Sequence, residues 1–193
     1  MSPRTAIQNE QIRADSKHKI MDAAFNLIAK NGYEATSIAM IAKTAGVSKG
    51  LLYNYFTSKE ELVKAIVLGG MEEGDKMLGE IMGDDPTSTL KNIFIWFFQE
   101  IRERPEHWKL LTELTFKIEK FDFVREIVIS KMTEYVTFIE ALLTQIGYKD
   151  AKSEARVIAA ILDGVGFHAL MMMNEYPLDE MEKYLIKKYC NNE

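Results

Sequence analysis

The sequence predicts an all-α protein: a small N-terminal three-helix unit followed by a larger helical body, about nine helices in total. Apolar residues recur at helical spacing along nearly all of its 193 residues, and no convincing strand alternation interrupts them. Cap and stop residues divide these periodic stretches at regular intervals. Two of the stretches are short and are separated only by Ala45-Gly46-Val47-Ser48, the dimensions of a helix-turn-helix.

Taken in order, Asp15 or Ser16 can cap a first helix whose apolar stripe is Ile20, Ala24, Leu27 and Ile28, with Gly32 as its stop. The polar segment 1–13 reads as a disordered tail. Thr36 offers the N-cap of a second helix carrying Ile38, Ile41, Ala42 and Ala45. Gly46 ends it, Val47 plugs the turn, and Ser48 caps a very short third helix through Tyr55. Ser58 and Glu61 have capping-box spacing and open a long fourth helix. That helix is interrupted by Gly69, Gly70, Gly74, Gly79 and Gly83, each costing about 1 kcal/mol relative to alanine. The glycines fit either close packing and fraying or a soft joint. Asp85-Pro86 starts a fifth helix to about Arg102, and Pro105 a sixth to about Phe116. A seventh spans about Asp122–Ile146 with Gly147 as its stop. Asp150 opens an eighth to about Asn174, and Pro177 precedes a ninth ending near Tyr189. The implied division is a tail over 1–13, a helix-turn-helix domain over 14–60 and a helical body over 61–193.

The overall charge of −5 hides an asymmetry. Residues 1–59 hold eight Lys/Arg against four Asp/Glu, net +4, whereas the remainder holds 16 against 25, net −9. Phosphate attraction is local, screened beyond about 8–10 Å at physiological salt. A basic head on an acidic body is therefore compatible with nucleic-acid binding. No apolar core follows Met1-Ser2-Pro3-Arg4, so no signal peptide is expected. Apolar stretches such as Ile158–Leu162 and Ala169–Met173 are far too short to span a bilayer, and no membrane partner is expected. The single cysteine, Cys190, has no intrachain partner, which fits a reducing cytoplasm.

A helix-turn-helix needs a tight turn, an apolar plug, and small or polar groups on its second helix for the major groove. Gly46 supplies the turn, Val47 with Ile41 and Leu52 the plug, and Ser48, Lys49, Gly50, Tyr53, Asn54 and Tyr55 the polar face. A tyrosine-rich short helix would also be read as aromatic packing. The combination of the Gly-Val-Ser-Lys-Gly turn, the paired tyrosines and a capped Lys59 favours DNA.

The run from Ile41-Ala42 through Ala45-Gly46-Val47-Ser48-Lys49-Gly50, Leu52-Tyr53-Asn54-Tyr55-Phe56 and Ser58-Lys59-Glu60 to Leu62 strongly resembles the N-terminal signature of the tetracycline-repressor (TetR/AcrR) family. The resemblance covers about Ile20 to Ala65. Beyond it, helix count and lengths and Leu162-Asp163-Gly164 are similar. It implies a sequence-specific, ligand-responsive regulator, a repressor with activation left open, acting as a homodimer on a palindromic double-stranded operator. It further implies that Thr36 or Ser37 binds phosphate with backbone support, that Ser48, Lys49 and Gly50 face base edges, with Lys49 the direct reader, and that Tyr53, Tyr55 and Lys59 contact phosphates. Leu52 and Phe56 are core by the same comparison. Ala39 and Met40 stand where the family often has polar residues, and Leu51 where a smaller one is common.

The resemblance places the dimer surface on the last two helices, through Ala155, Ile158, Ala159, Leu162, Gly166, Ala169 and Leu170 of the eighth and Met181, Tyr184, Leu185 and Lys188 of the ninth, although an intramolecular core would carry the same stripes. It also implies an effector cavity within the body. The expected lining is Trp96, Phe97, Trp108, Leu111, Phe116, Phe138, Phe167, His168 and Met171, although aromatics at helical spacing also make ordinary core. Few cations fall among them, which points to an apolar or aromatic effector. Asp163 and His168 lack metal-ligand spacing on one helical face, and neither a metal nor a cofactor is expected. No phosphate loop, metal cluster or nucleophile motif marks an enzyme. The competing reading is a helical small-molecule carrier without DNA-binding activity.

Overall fold

The computed structural model describes residues 6–116, 122–172 and 175–191. Among them run nine helices: α1 (Ala6–Asn31), α2 (Ile38–Thr44), α3 (Lys49–Tyr55), α4 (Lys59–Glu80), α5 (Pro86–Glu103), α6 (Pro105–Phe116), α7 (Asp122–Ile146), α8 (Ala151–Met172) and α9 (Leu178–Cys190). No strand occurs among the described residues. The chain forms two compact units, residues 1–70 and 71–193, and the boundary falls inside α4 rather than at its start.

The N-terminal unit packs α1, α2 and α3 around Ile20, Ala23, Ala24, Ile41, Ala42, Leu52, Phe56 and Leu62, with Val47 against them. Leu52 and Phe56 are buried as core, and Val47 closes the turn. The α2–α3 turn is a Schellman closure: Val47 N donates to Ala42 O (3.0 Å) and Gly46 N to Lys43 O (3.2 Å). It requires Gly46 at φ +68°, where a side chain is strained. Gly147, at φ +104°, ends α7 in the same way.

Four local expectations are corrected. The helix α1 reaches back to Ala6, because Asp15 and Ser16 act as interior residues. Asp15 accepts from Gln11 Nε2 (2.9 Å), and the Ser16 hydroxyl donates to Ile12 O (2.7 Å). The N-cap of α2 is Ser37, whose Oγ accepts from Met40 N (3.2 Å), while Thr36 turns inward. Ser58 does cap α4 by accepting from Glu61 N (3.0 Å), but the Glu61 carboxylate takes the N–H and hydroxyl of Thr57 instead of the Ser58 N–H. The expected absence of a membrane-length helix also needs amendment. By length and composition alone α8 is apolar enough to cross a bilayer, since glycine, alanine and histidine dilute its apolar runs without adding much charge.

In the C-terminal unit α5 is the central amphipath. Asp85 caps it by accepting from Thr87 N (2.8 Å) and Ser88 N (3.0 Å), with Pro86 in its first turn and Ser88 completing a capping box. Its buried stripe of Leu90, Ile93, Phe94, Phe97, Phe98 and Ile101 packs on α9 and α7, and α8 packs on α7 and α6. Arg102 ties α5 to α9 through Asp179 (2.7 Å) and Glu182 (2.5 Å). Gly166 faces Trp108 where α8 packs on α6: a Cβ there would lie 3.4 Å from Trp108 Cε3, an ordinary contact.

Candidate nucleic-acid interface

The third helix is seven residues long and owes its start to Ser48, whose Oγ accepts from Leu51 N (3.0 Å). So short a helix has little stability of its own and depends on burying Leu52 and Phe56 beneath it. The side chains on its other face are left to solvent. Ser48, Lys49, Gly50, Tyr53 and Asn54 are all exposed, Leu51 and Tyr55 half-buried. A Cβ on Gly50 would meet nothing nearer than Ser48 Oγ at 4.0 Å, so this glycine leaves a bare, approachable patch of helix. Lys49 Nζ lies 5.9 Å from the Tyr53 ring centroid, one turn away, which orients the ammonium along the exposed face. An ammonium, a serine hydroxyl and a tyrosine hydroxyl on one exposed face are donors matched to phosphate and base-edge acceptors.

At the start of α2, Ser37 is exposed and caps the helix, with exposed Ala39 and Met40 beside it. Thr36 is different. It is 1% exposed, and its hydroxyl donates to Gly32 O (2.9 Å) and Leu27 O (3.1 Å). That hydroxyl is engaged inside the unit and does not reach a phosphate, so of the two residues expected here only Ser37 is presented.

Lys59 also departs from expectation. Its Nζ donates to Tyr33 O (2.7 Å) and Thr36 O (2.9 Å) and sits 3.8 Å from the centroid of the buried Tyr33 ring. Two of its three donors therefore satisfy carbonyls of the α1–α2 loop, and the charge lies over an aromatic face. The residue staples the start of α4 to the loop that aims Ser37, rather than projecting freely from the surface. Burial, followed by the nearby Glu60 and Glu34 carboxylates, pushes the Tyr33 phenol above its usual pKa.

Two cations that sequence reasoning left in a tail and on a helix flank lie beside α3. The Arg13 guanidinium carbon is 5.8 Å from the Tyr55 ring centroid, and Lys17 Nζ is 5.9 Å from the Phe56 ring. Their i, i+4 spacing on the face that buries Ile20 and Ala24 was the available signal.

The expected cavity residues do not gather in one place. Phe97 is core, edge-on to Phe98 (5.4 Å) and Trp108 (5.1 Å), and Trp96, Trp108 and Phe138 pack against the same core. Phe167, His168 and Met171 are instead exposed on α8, with His168 5.7 Å from Tyr176. The side chains of Leu111 and Phe116 lie outside the described ones. The indole N–H groups of Trp96 and Trp108 are buried and have no hydrogen-bond partner among the described residues. The small residues expected at the dimer surface are likewise redistributed. Ala155, Ile158, Gly166 and Ala169 of α8 and Leu185 of α9 are buried within this chain, Ala159, Leu162, Leu170 and Met181 are half-buried, and Tyr184 and Lys188 are exposed, as are Val157, Ala160, Phe167 and Met171 outside the expected set. Part of the expected stripe therefore faces the intramolecular core and part faces solvent.

Residues 20–66 match the family described as "Bacterial regulatory proteins, tetR family". The chain is similar to the HTH-type transcriptional regulator AcrR of Shigella flexneri, 29% identical over 136 residues, 67% of this chain and 60% of that protein. It is also similar to the HTH-type transcriptional regulator PksA of Bacillus subtilis (strain 168), 26% identical over 182 residues, 84% of this chain and 82% of that one. Its fold matches the crystal structure of a TetR transcription regulator from Haloarcula marismortui ATCC 43049 with a TM-score of 0.81, at 18% identity over 92% of this chain and 97% of the other.

Proposed function

We propose that this chain, a member of the tetR family of bacterial regulatory proteins and so a DNA-binding transcriptional regulator, acts in the cytoplasm as a homodimeric, ligand-responsive repressor on a palindromic operator. The observation that carries the DNA-reading part is the exposed Ser48–Lys49–Gly50–Tyr53 face of a short helix held by the Gly46 turn. Lys49 reads guanine acceptors at the mouth of the recognition helix, with Ser48 and Gly50 against neighbouring base edges. Tyr53, Tyr55 and Ser37 donate to phosphates, and Asn54 extends the same polar face. Lys59 and Thr36 hold the frame that presents Ser37. The chain is read as a binder rather than an enzyme, in keeping with relatives that are transcriptional regulators.

Dimerisation is supported by α8 and α9. The apolar window of α8 is only 28% buried, and Val157, Phe167 and Met171 stand exposed on it, Met171 at 67%. A continuous apolar face of this kind is covered in the working molecule. A second copy is the occupant that also doubles the reading head, and Tyr184 of α9 would join the interface. Two heads one helical turn apart, about 34–36 Å, then read a palindrome.

Effector binding is supported by the body's aromatic content and by the two unpartnered indole donors of Trp96 and Trp108. An apolar or aromatic molecule carrying a hydrogen-bond acceptor would satisfy a donor that packing alone leaves unmet. Such a ligand acts through its differential affinity for two body shapes, passed to the head along α4.

The test is fluorescence anisotropy with a duplex from the region upstream of the gene, against a shuffled duplex, at low and moderate salt. Preferential binding of the upstream duplex that Lys49→Ala abolishes supports the reading. Equal, negligible binding of both duplexes at low salt refutes it and favours the carrier.

A further inference from the structure

We infer that the N-terminal half of α1 is a second DNA-contacting element, in which Arg13 and Lys17 bind backbone phosphates beside the recognition helix; this rests on the DNA-reading function proposed above. Three observations on separate faces of α1 lead to it.

First, the position is fixed. Arg13 and Lys17 are one turn apart on the face that, farther along, buries Ile20 and Ala24 beneath α2 and α3. Where the core ends the stripe continues as charge, and the cations lie against Tyr55 and Phe56 at the C-terminal end of α3. Tyr55 is half-buried with Arg13 over its ring, so any phosphate within reach of the Tyr55 hydroxyl is a neighbour of that guanidinium. This place is about 10 Å along α3 from the base-reading residues at its start, far enough to engage separate phosphates.

Second, two of the three acids of α1 are kept away. Asp15 and Asp22 lie on the opposite face, where Asp15 accepts from Gln11 (2.9 Å) and Asp22 lies 3.4 Å from His18. Glu10 shares the basic face, one turn before Arg13, and no ion pair joins the two among the described interactions. Arg13 and Lys17 are exposed, and among the described interactions their neighbours are aromatic rings. Lys17 has one acidic neighbour, Glu61: along with the Thr57 hydrogen bonds, which are the main cause, its charge helps hold the Glu61 carboxyl below the usual range. Arg13, whose planar guanidinium can fork onto phosphate oxygens, is the stronger phosphate ligand of the two.

Third, the helix is continuous. The first helix starts at Ala6, so Arg13 is displayed on a helical turn continuous with the core-packed part of α1 rather than on an irregular tail. A guanidinium in a fixed place forks onto phosphate oxygens with little further loss of freedom.

Each phosphate contact contributes about 0.9 to the slope of log K against log salt. The experiment measures that slope by anisotropy for the full-length protein on the upstream duplex and on a mixed-sequence duplex of equal length. Arg13→Ala is expected to lower the slope by about 1 and the affinity several-fold, by a similar factor on both duplexes because phosphates carry no sequence. Lys17→Ala should do the same more weakly, and Arg13→Lys should keep the slope. Both residues are exposed, so unchanged thermal unfolding of the variants is expected and is measured alongside. A slope in Arg13→Ala equal to that of the unsubstituted protein overturns the inference. So does a loss confined to the upstream duplex, which would make Arg13 a base reader. Failure of the unsubstituted protein to bind either duplex would overturn the underlying function as well, which separates the two outcomes.

Discussion

The two units of this chain present function in opposite ways. In the N-terminal unit a small core of aliphatic residues and Phe56 holds polar side chains at the surface, and those polar groups do the work. In the C-terminal unit the exposed groups on α8 are themselves apolar, Val157, Phe167 and Met171, and polar function is confined to ties such as Arg102 with Asp179 and Glu182. The head is built to meet a charged, hydrated partner. On the proposed function, the body would meet another apolar surface. One chain therefore carries two recognition chemistries, and they respond to different perturbations: salt and single charges for the head, apolar burial and protein concentration for the body.

The largest effect is expected where the turn itself is broken. Gly46→Val places a β-branched residue at φ +68°, at a backbone cost of about 1–2 kcal/mol or more, and disturbs the crossing of α2 and α3. Operator binding should fall by more than tenfold, with the loss of head stability visible in thermal unfolding. Dimerisation should persist, and its loss would mean that the units are not separable in function.

Lys59→Met comes next and sharpens the contrast between a staple and a contact. Removing its two hydrogen bonds to Tyr33 O and Thr36 O should cost about 1–3 kcal/mol of head stability and weaken DNA binding. The salt slope of binding should stay near that of the parent protein. A slope lower by about 1 with unchanged unfolding would restore Lys59 to the phosphate contacts. Lys49→Ala is the mirror case: unfolding is unchanged because the side chain is exposed, and discrimination between operator and shuffled DNA drops by about 1–3 kcal/mol.

On the body, Phe167→Glu with Met171→Glu should convert the dimer to monomer in sedimentation equilibrium. Their exposure means that the monomer keeps its helical signal. A dimer that persists would move the interface elsewhere.

The smallest effect concerns pH. Burial, aided by the nearby Arg104, holds the His107 imidazole below its usual pKa of about 6.5. The unfolded chain then takes up a proton more readily than the folded one, so stability falls as pH drops through about 6.5 toward the lower folded value. His107→Gln should flatten that part of the stability profile, and denaturant titrations at pH 7.5 and 5.5 would show it.

Much of this was legible in the sequence, and the residues explain why. The Gly46 turn, the Ser48 cap and the Asp85-Pro86 start are local chemistry, decided within four residues, and they stand where they were read. Helix number and most boundaries follow from periodicity in the same way. What periodicity does not fix is rotation about the helix axis. It marked Ala155, Ile158, Gly166 and Ala169 as one stripe, but a stripe fits an internal core and a dimer seam equally well, and here it is internal. Lys59 and Thr36 eluded reading for a related reason. Their partners are backbone carbonyls, Tyr33 O and Thr36 O in the α1–α2 loop and Leu27 O near the end of α1, met only because of the path the loop takes, and no residue type announces them. Arg13 required knowing that α1 continues past Ser16.

The most direct test of the central claim is hydroxyl-radical footprinting of the region upstream of the gene, comparing the unsubstituted protein with Lys49→Ala. The account predicts two protected patches with centres about 34–36 Å apart along one face of the duplex, present with the parent protein and absent with the variant at the same concentration. Uniform reactivity along the duplex, or protection that Lys49→Ala leaves intact, would contradict it.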